Sequence, residues 1–397
     1  MLTRRDFLRT SSLLALAPTV PAFLRQAARA AAPRRDGRVL VVVQLTGGND
    51  GFNTVVPLGN DDYARHRSRL RLSAADCHKI GDGVGLHPAM RDAAKLFDEQ
   101  QFAIVRGVGY PDPSRSHDVS MAVWQTARLD RETHDGQGWL GRTLDEIASS
   151  HRGTNRSIFI GKGPTPIALR GRRATSSTFD SLDDLSTNHE PRPGRLITDG
   201  ETSDLAAFMR RSSLDAYAAA DRLAELSRRG RSASNRYPDS ELASHLRLIA
   251  QLLRADLGTR VFYTQQTGYD THAAQLNTHA NLLRDLSRSL LAFVRDLSMA
   301  KLDERVVVIC FSEFGRQLGE NASEGTDHGT AGPVLLAGTP LAGGIHGTAP
   351  DLSDLTNNAP HHTIDFRQVY STLLQGWLGV PANKILGETF DSLPLIS

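Results

Sequence analysis

The hydrophobic pattern of the chain consists of short apolar runs separated by longer segments with helical periodicity. The runs of strand length cover residues 39–45, 102–108, 157–161, 260–264, 306–311 and 334–337. A short, continuously apolar run is typical of a strand buried on both faces. Because helical segments lie between several of these runs, the pattern predicts an α/β fold, with a mostly parallel central sheet and helices on both faces.

The clearest predicted helix follows His272, where apolar positions recur at steps of three and four. The positions are Leu276, His279, Leu283, Leu286, Leu290, Phe293 and Leu297. His279 lies on this stripe, so we expect it to be a core histidine. Residues 203–257 predict further helices with an exposed break near RRGRSASNRYPDS, and the polar residues 170–202 predict a long surface excursion. We see no domain boundary and expect one domain over residues 38–397.

The first thirty residues differ in character from the rest. TRRDFLR at 3–9 resembles a twin-arginine export signal, a weak apolar stretch follows, and Ala28-Arg29-Ala30 fits a cleavage site. We therefore expect residues 1–30 to be a signal peptide, the partner to be the twin-arginine export machinery, and the location to be periplasmic or secreted. A stable membrane anchor is not expected, because such a helix needs about 18 consecutive apolar residues and Pro18 and Pro21 interrupt this stretch.

Charge and cysteine content narrow the functional classes. The formal net charge is +2, and residues 1–30 contain five arginines against one aspartate, so the remaining chain is slightly acidic. We therefore expect no nucleic-acid partner, since proteins that bind nucleic acids carry clusters of basic residues. The two cysteines are Cys77 and Cys310, and the position of Cys310 within VVVICF predicts a buried thiol rather than a disulfide.

Polar residues with catalytic or metal-binding side chains follow the predicted strands or precede the last one. They are Asp50, Ser116 with His117, Asp270 with His272, Glu313 with Arg316, and Asp327 with His328. The carboxyl ends of parallel strands lie along one edge of a sheet, where ligands bind. We therefore expect these residues to be neighbours, although they are far apart in sequence.

Such a group would be rich in acids and imidazoles, with Arg316 as the one obvious cation. Carboxylates gathered at a partly dry edge raise one another's pKa unless cations intervene. The pattern therefore predicts one or two divalent metal ions. Aspartate and histidine ligands suit zinc or manganese, and an all-carboxylate second position would suit calcium or magnesium.

Each of these residues also has a purely structural interpretation. Asp50, which follows Gly-Gly-Asn, can satisfy the backbone of its own turn. Ser116 can cap a helix, with His117 in the first helical turn. Glu313 and Arg316 can pair with each other. The sequence alone leaves these alternatives open.

Several motifs, in order along the chain, resemble a known family. They include LTGGNDGFNTVVP, PDPSRSH, GYDTHAAQ, SEFGR, GTDHGTAGPVLLAG and DFRQVYSTLLQGWLG. Together they are similar to the twin-arginine-exported bacterial proteins called domain of unknown function 1501, a family that in turn resembles the alkaline phosphatase and sulfatase superfamily. The resemblance covers nearly all of the chain after the signal. It implies an alkaline phosphatase-like fold with a bimetal site at the carboxyl edge of the sheet.

The resemblance also implies roles for individual residues. Ser116 falls where the superfamily has a hydroxyl nucleophile that opens a helix. The metal ligands that it implies are Asp50, Asp270, His272 and His328. Glu313 falls where relatives have an aspartate followed by a histidine, but Phe314 replaces that histidine, which weakens the second metal position.

These observations predict a metal-dependent hydrolase of phosphate or sulfate esters. Ser116, with His117 beside it, or a metal-bound water would be the nucleophile, and Arg316 would hold the ester. The expected substrate is a small anionic ester or a sulfated or phosphorylated polymer. The alternative is a non-catalytic exported binding protein that keeps the fold. A serine hydrolase is disfavoured because the chain lacks a G-x-S-x-G motif.

Overall fold

The computed structural model describes residues 37–130, 136–150, 156–181, 237–256 and 258–397. Its strands are β1 (Val39–Thr46), β2 (Val55–Pro57), β3 (His78–Gly81), β4 (Val84–Leu86), β5 (Phe102–Gly109), β6 (Arg156–Ile160), β7 (Thr175–Phe179), β8 (Val261–Thr267), β9 (Val306–Phe311), β10 (Arg316–Glu320), β11 (Thr326–His328), β12 (Gly332–Ala337), β13 (Gly344–His346), β14 (Leu355–Thr356), β15 (Ala359–Pro360) and β16 (Ile364–Asp365). Its α-helices are α1 (Gly51–Thr54), α2 (Asp61–His66), α3 (Arg91–Asp98), α4 (His117–Thr126), α5 (Trp139–Ser150), α6 (Glu241–Ala255), α7 (Gln275–Met299), α8 (Phe366–Thr372) and α9 (Ala382–Leu386).

The central sheet has the strand order β13-β5-β12-β9-β1-β8-β6-β7, and β16 also pairs with β5. Its pairs are parallel except that β12 runs antiparallel to both β5 and β9. The predicted mostly parallel sheet is therefore confirmed. The carboxyl ends of β1, β5, β8 and β9 share one edge, and β12 begins at that same edge.

Helices cover both faces of the sheet, as predicted. Side chains alternate between the two faces of a strand, and in β1 Val41 and Val43 pack into a core with α6 and α7. Leu40 and Val42 of the same strand pack on the other side, with α4, α5 and α8. β1 is buried on both faces, which explains why its sequence is apolar apart from Gln44 and Thr46.

All six predicted strands are present, with ends that differ from the prediction by at most three residues. The predicted helix after His272 is α7, and its apolar stripe is buried except for Leu276, which is 38% exposed. His279 is 1% exposed, so its prediction as a core histidine is confirmed. Cys310 is a buried free thiol, also as predicted, and burial raises the pKa of its thiol.

The predicted surface excursion at residues 170–202 is wrong where the structure describes it. Residues Thr175–Phe179 form β7, an edge strand paired in parallel with β6. Their sequence, TSSTF, gave no apolar signal, because an edge strand has one neighbour and tolerates polar side chains. Residues 182–236 lie outside the described residues, and with them the first part of the predicted helical region and most of the predicted break before α6. The predicted signal at 1–30 also lies outside them. Within the described chain, no helix is both long and apolar enough to cross a bilayer.

Candidate metal centre

The loops that follow β1, β8 and β9 contact one another at the carboxyl edge of the sheet. Gly47 has φ +120°, and a Cβ there would lie 2.4 Å from the backbone nitrogen of Asp270, so glycine allows the first two loops to touch. The Gly47 N–H donates to Oε1 of Glu313, at 2.9 Å, which ties in the third loop. These contacts bring the polar residues of three strand ends together.

Three histidines surround one carboxylate oxygen at this edge. The Nε2 atoms of His117, His272 and His328 lie 3.5, 3.0 and 3.1 Å from Oδ1 of Asp270. The Nε2 atoms of His272 and His328 are 2.9 Å apart. Candidate ligand atoms of His117, Asp270 and His328 all lie within 4.8 Å of one another. We call these four residues the histidine cluster.

The second ring nitrogen of each histidine is held by an acceptor. The acceptors are Glu313 Oε1 for His117 (2.7 Å), the Arg115 carbonyl for His328 (2.8 Å) and Asp327 Oδ1 for His272 (3.3 Å). A carbonyl or carboxylate beside Nδ1 keeps the proton on that nitrogen and leaves a lone pair on Nε2. All three Nε2 lone pairs therefore face Asp270, an arrangement found where histidines bind a metal.

One ring nitrogen of the cluster is not explained by protons on the histidines. A second proton on His272 would satisfy its contacts with Asp270 and His328, but His117 Nε2 is buried and has no hydrogen-bond partner among the described residues. Buried polar atoms are nearly always paired. Around a tetrahedral ion with bonds of about 2.0–2.2 Å, ligand atoms lie roughly 3.3 Å apart. The three Nε2 atoms lie 3.0–3.5 Å from Oδ1 of Asp270, close to this spacing, and His117, Asp270 and His328 form the part of the cluster in which all candidate ligand atoms lie within 4.8 Å of one another.

Asp270 is held in its ionised form. Burial by itself would raise the pKa of this carboxyl, but the hydrogen bond from Arg316, and one from His328 when that ring is protonated on both nitrogens, outweigh burial and lower the pKa to about 2. The Arg316 Nη2 lies 2.6 Å from Oδ1. A carboxylate that is ionised at neutral pH is the form that binds a metal.

Arg316 itself is completely buried, and its position contradicts the prediction that it holds an ester. Its guanidinium donates to the carbonyl oxygens of Gly47, Gly48, Tyr269 and Thr326 as well as to Asp270. Its role is to hold the loops in place. It does not pair with Glu313, so that structural alternative is also wrong.

Asp50 lies apart from the histidine cluster. Its side chain is completely buried, caps the short helix α1 through the Phe52 N–H, and pairs with Arg67 at 2.5 Å and with Gln275 at 2.5 Å. Burial would raise the pKa of Asp50, but Arg67 outweighs it and the net shift is downward. The structure therefore favours the structural alternative for Asp50, and its oxygens are engaged by Arg67 and Gln275 rather than by the histidine cluster.

Glu313 and Phe314 support the histidines without joining the cluster. Glu313 is 1% exposed and accepts hydrogen bonds from His117, Gly47 and Ser312. The Phe314 ring packs 4.9 Å, between ring centroids, from both His117 and His328. Glu313 was predicted as a ligand, but its oxygens orient His117 and one backbone loop instead. A second metal position is therefore not assembled here by Asp50 or Glu313.

Asp327 and Ser116, the remaining predicted residues, lie next to members of the histidine cluster. Asp327 contacts His272, and a hydrogen bond from Asn321 is the main cause that lowers the pKa of Asp327. Ser116 is exposed and immediately precedes α4, but its hydroxyl makes no capping hydrogen bond. Sequence reasoning missed Arg115, whose contribution is a backbone carbonyl, and Arg67, which lies in an arginine-rich segment without a distinguishing motif.

Comparisons with known proteins identify a family and several distant structures. A family model described as protein of unknown function (DUF1501) matches residues 38–377. No curated protein matches the sequence.

Among solved structures, the chain is similar to the zinc-complexed periplasmic domain of EptC from Escherichia coli (8% identity, TM-score 0.40, covering 77% of this chain and 74% of that one). It is also similar to a protein of the alkaline phosphatase superfamily from Vibrio parahaemolyticus (9%, TM-score 0.38, covering 93% and 78%). A third is the lipoteichoic acid synthase LtaP from Listeria monocytogenes (8%, TM-score 0.37, covering 82% and 71%).

Proposed function

The chain belongs to the DUF1501 family of proteins of unknown function, and we propose that it hydrolyses phosphate or sulfate esters with one divalent metal ion. The observation that carries the proposal is the convergence of three histidine Nε2 atoms on Oδ1 of Asp270, with the Nε2 of His117 buried and without a hydrogen-bond partner in the part of the chain that the structure describes. Imidazole nitrogens with one carboxylate suit zinc or manganese. His117, previously considered only as a partner of Ser116, is a proposed ligand with Asp270, His272 and His328.

We propose one ion rather than two. Asp50 is engaged by Arg67, and Glu313 is engaged by His117 and Gly47. Phe314 occupies the position where the superfamily resemblance calls for a further histidine. These three residues are the ones on which a second position would depend.

The protein's own residues prepare the site for hydrolysis. Glu313 fixes the ring of His117, Arg316 keeps Asp270 ionised, and Phe314 covers one side of two histidine rings. A divalent ion supplies charge neutralisation for the transferred group and lowers the pKa of a bound water or hydroxyl. Ser116, exposed at the start of α4 and adjacent to His117, is the candidate side-chain nucleophile, and water is the other.

A second candidate function is metal-dependent binding without catalysis. It is favoured by the Ser116 hydroxyl, which makes no hydrogen bond within the described part of the chain, and by the burial of Arg316. In that case the ion would anchor an anionic ligand that is not cleaved.

Metal analysis combined with an ester assay tests both candidates. We expect about one ion per chain in the purified protein, a loss of that ion in His328→Ala, and no loss in the control His346→Ala. His346 lies on β13, where it pairs with Val105 in the first half of β5. Release of nitrophenol from p-nitrophenyl phosphate or sulfate, abolished by chelator, supports hydrolysis. A bound ion without turnover supports the binding function, and a protein without metal refutes both.

We also propose that the protein is exported in a folded state through the twin-arginine pathway. The support is the TRRDFLR motif at residues 3–9. Replacing Arg4 and Arg5 by lysine should leave the uncleaved protein in the cytoplasm, as measured by cell fractionation. Normal export of that variant would contradict this route while leaving the proposed chemistry unaffected.

A further inference from the structure

A groove of about 660 Å³ opens beside the histidine cluster. One wall is the loop of residues 109–115 that follows β5, and the other is the hairpin formed by β14 and β15. Thr330 and Ala331, which follow His328 closely in sequence, also line it. The groove is connected to the cluster through Arg115, because its carbonyl accepts the hydrogen bond from His328 Nδ1 at 2.8 Å.

The side chain of Arg115 faces the groove and has unused donors. Its Nη2 donates to the carbonyl oxygens of Thr356 and Asn357, at 3.1 and 3.3 Å, and so fixes the guanidinium against the hairpin. The Nε and Nη1 donors make no hydrogen bond with any part of the chain that the structure describes. A guanidinium held at one end with donors free at the other is suited to a phosphate or sulfate oxygen.

Arg115 supplies the positive charge of the groove. The lining also includes His361 and His362, and Asp112 is the one carboxylate among the lining residues. Burial lowers the pKa of His362, so this ring is neutral at pH 7. The volume lies in the usual range for ligand pockets, about 300–1,000 Å³, and exceeds what a single phosphate or sulfate group needs. A ligand that fills the groove therefore extends well beyond one ester group.

We propose that this groove binds the part of the substrate beyond the reacting ester, and that Arg115 holds a second anionic group on it. The substrate class is then a multiply sulfated or phosphorylated chain rather than a small monoester. This inference rests on the proposed hydrolase function for the identity of the reacting ester. We assign to Arg115, whose side chain is accessible, the anion-binding role that the sequence predicted for Arg316.

Polyanion binding in the presence of chelator tests the inference separately from the metal site. The probes are dextran sulfate and polyphosphate, with neutral dextran as the uncharged control, and binding is measured by calorimetry. We expect both polyanions to bind and neutral dextran not to bind. Arg115→Ala should weaken polyanion binding by about tenfold or more, the size expected for charge-assisted hydrogen bonds. Arg115→Lys, which keeps the charge without the fork, should fall between the two.

Arg288→Ala is the matched control, because Arg288 is an exposed arginine on α7, the helix that packs on the opposite core. It should bind polyanions as the wild type does. Since Arg115 supports His328 through its backbone, Arg115→Ala should keep its metal content, which also reports on correct folding. Unchanged polyanion binding in Arg115→Ala, or equal binding of neutral dextran, overturns the inference while metal-dependent ester hydrolysis would still stand. Loss of metal content from the wild type would overturn the proposed function alone.

Discussion

Metal binding should be measurable as thermal stability, because its ligands come from distant parts of the chain. The folded state brings His117, Asp270 and His328 together, whereas an unfolded chain offers no such site. Zinc at about 100 times its dissociation constant should stabilise the protein by roughly 2.7 kcal/mol, provided that the unfolded chain does not bind it. With an unfolding entropy of about 2.1 cal/mol/K per residue over the region matched by the family, the melting temperature should rise by about 4 °C.

The variant Glu313→Gln probes how the cluster is oriented. Glu313 contacts His117 Nδ1 at 2.7 Å and is not a proposed ligand. Loss of such a supporting contact typically lowers metal affinity by about 10- to 100-fold. At the zinc concentration used for the wild type, the stabilisation should then fall to about 0.4–1.4 kcal/mol. His328→Ala should remove most of the response, and His346→Ala should retain all of it.

The assay is a melt followed by circular dichroism, with chelator and with added zinc, on the wild type and the three variants. Chelator should lower the melting temperature of the wild type and leave that of His328→Ala nearly unchanged. The reasoning is refuted if the wild type shows no zinc-dependent shift, or if His328→Ala responds as strongly as the wild type. In either case the histidine contacts would be satisfied by protons.

Three further predictions concern residues around the cluster. Arg67→Met should cost about 3–5 kcal/mol in urea unfolding, because it leaves the Asp50 carboxylate buried without its counter-charge. Adding Asp50→Asn should recover part of the loss, and a cost below about 1 kcal/mol would contradict the ion pair. Burial lowers the pKa of His279 to about 3, so the unfolded protein binds a proton at this residue below the ordinary pKa of about 6.5 and the folded protein does not. The free energy of unfolding should therefore fall by roughly 2 kcal/mol between pH 6.5 and about pH 5. An equally steep pH dependence in His279→Gln, with chelator present, would argue against this assignment. Ser116→Ala should change stability by less than about 0.5 kcal/mol, since no capping bond is lost, yet abolish ester hydrolysis; a fully active variant would leave water as the nucleophile.

The sequence predicted the sheet well because a strand that is buried on both faces consists almost entirely of apolar residues. β9 is apolar along its length, and β1 is apolar apart from Gln44 and Thr46. β7 has no such apolar run because it lies at the edge of the sheet and carries polar side chains. The sequence also indicated the correct edge for the site, since strand ends can be read from where the apolar runs stop.

Individual roles at the site depended on contacts that sequence spacing does not encode. Asp50 and Arg67 are 17 positions apart, and several other arginines near Arg67 had an equal claim on the carboxylate. Glu313 and His117 are 196 positions apart, so nothing in the sequence distinguishes a carboxylate that binds metal from one that orients a histidine. Residue type at the edge was predictable, but the partner of each residue was not.

The spread of the cluster along the chain also sets when it can form during biosynthesis. The Arg115 carbonyl and His328, which it orients, are separated by 213 positions, and His328 is reached only after β1, β5, β8 and β9 have been made. A ribosome-bound chain that ends before His328 lacks one proposed ligand altogether. Metal binding is therefore expected to be a late event that follows assembly of the sheet. A molecule that holds the ion is then one in which the central sheet has already formed.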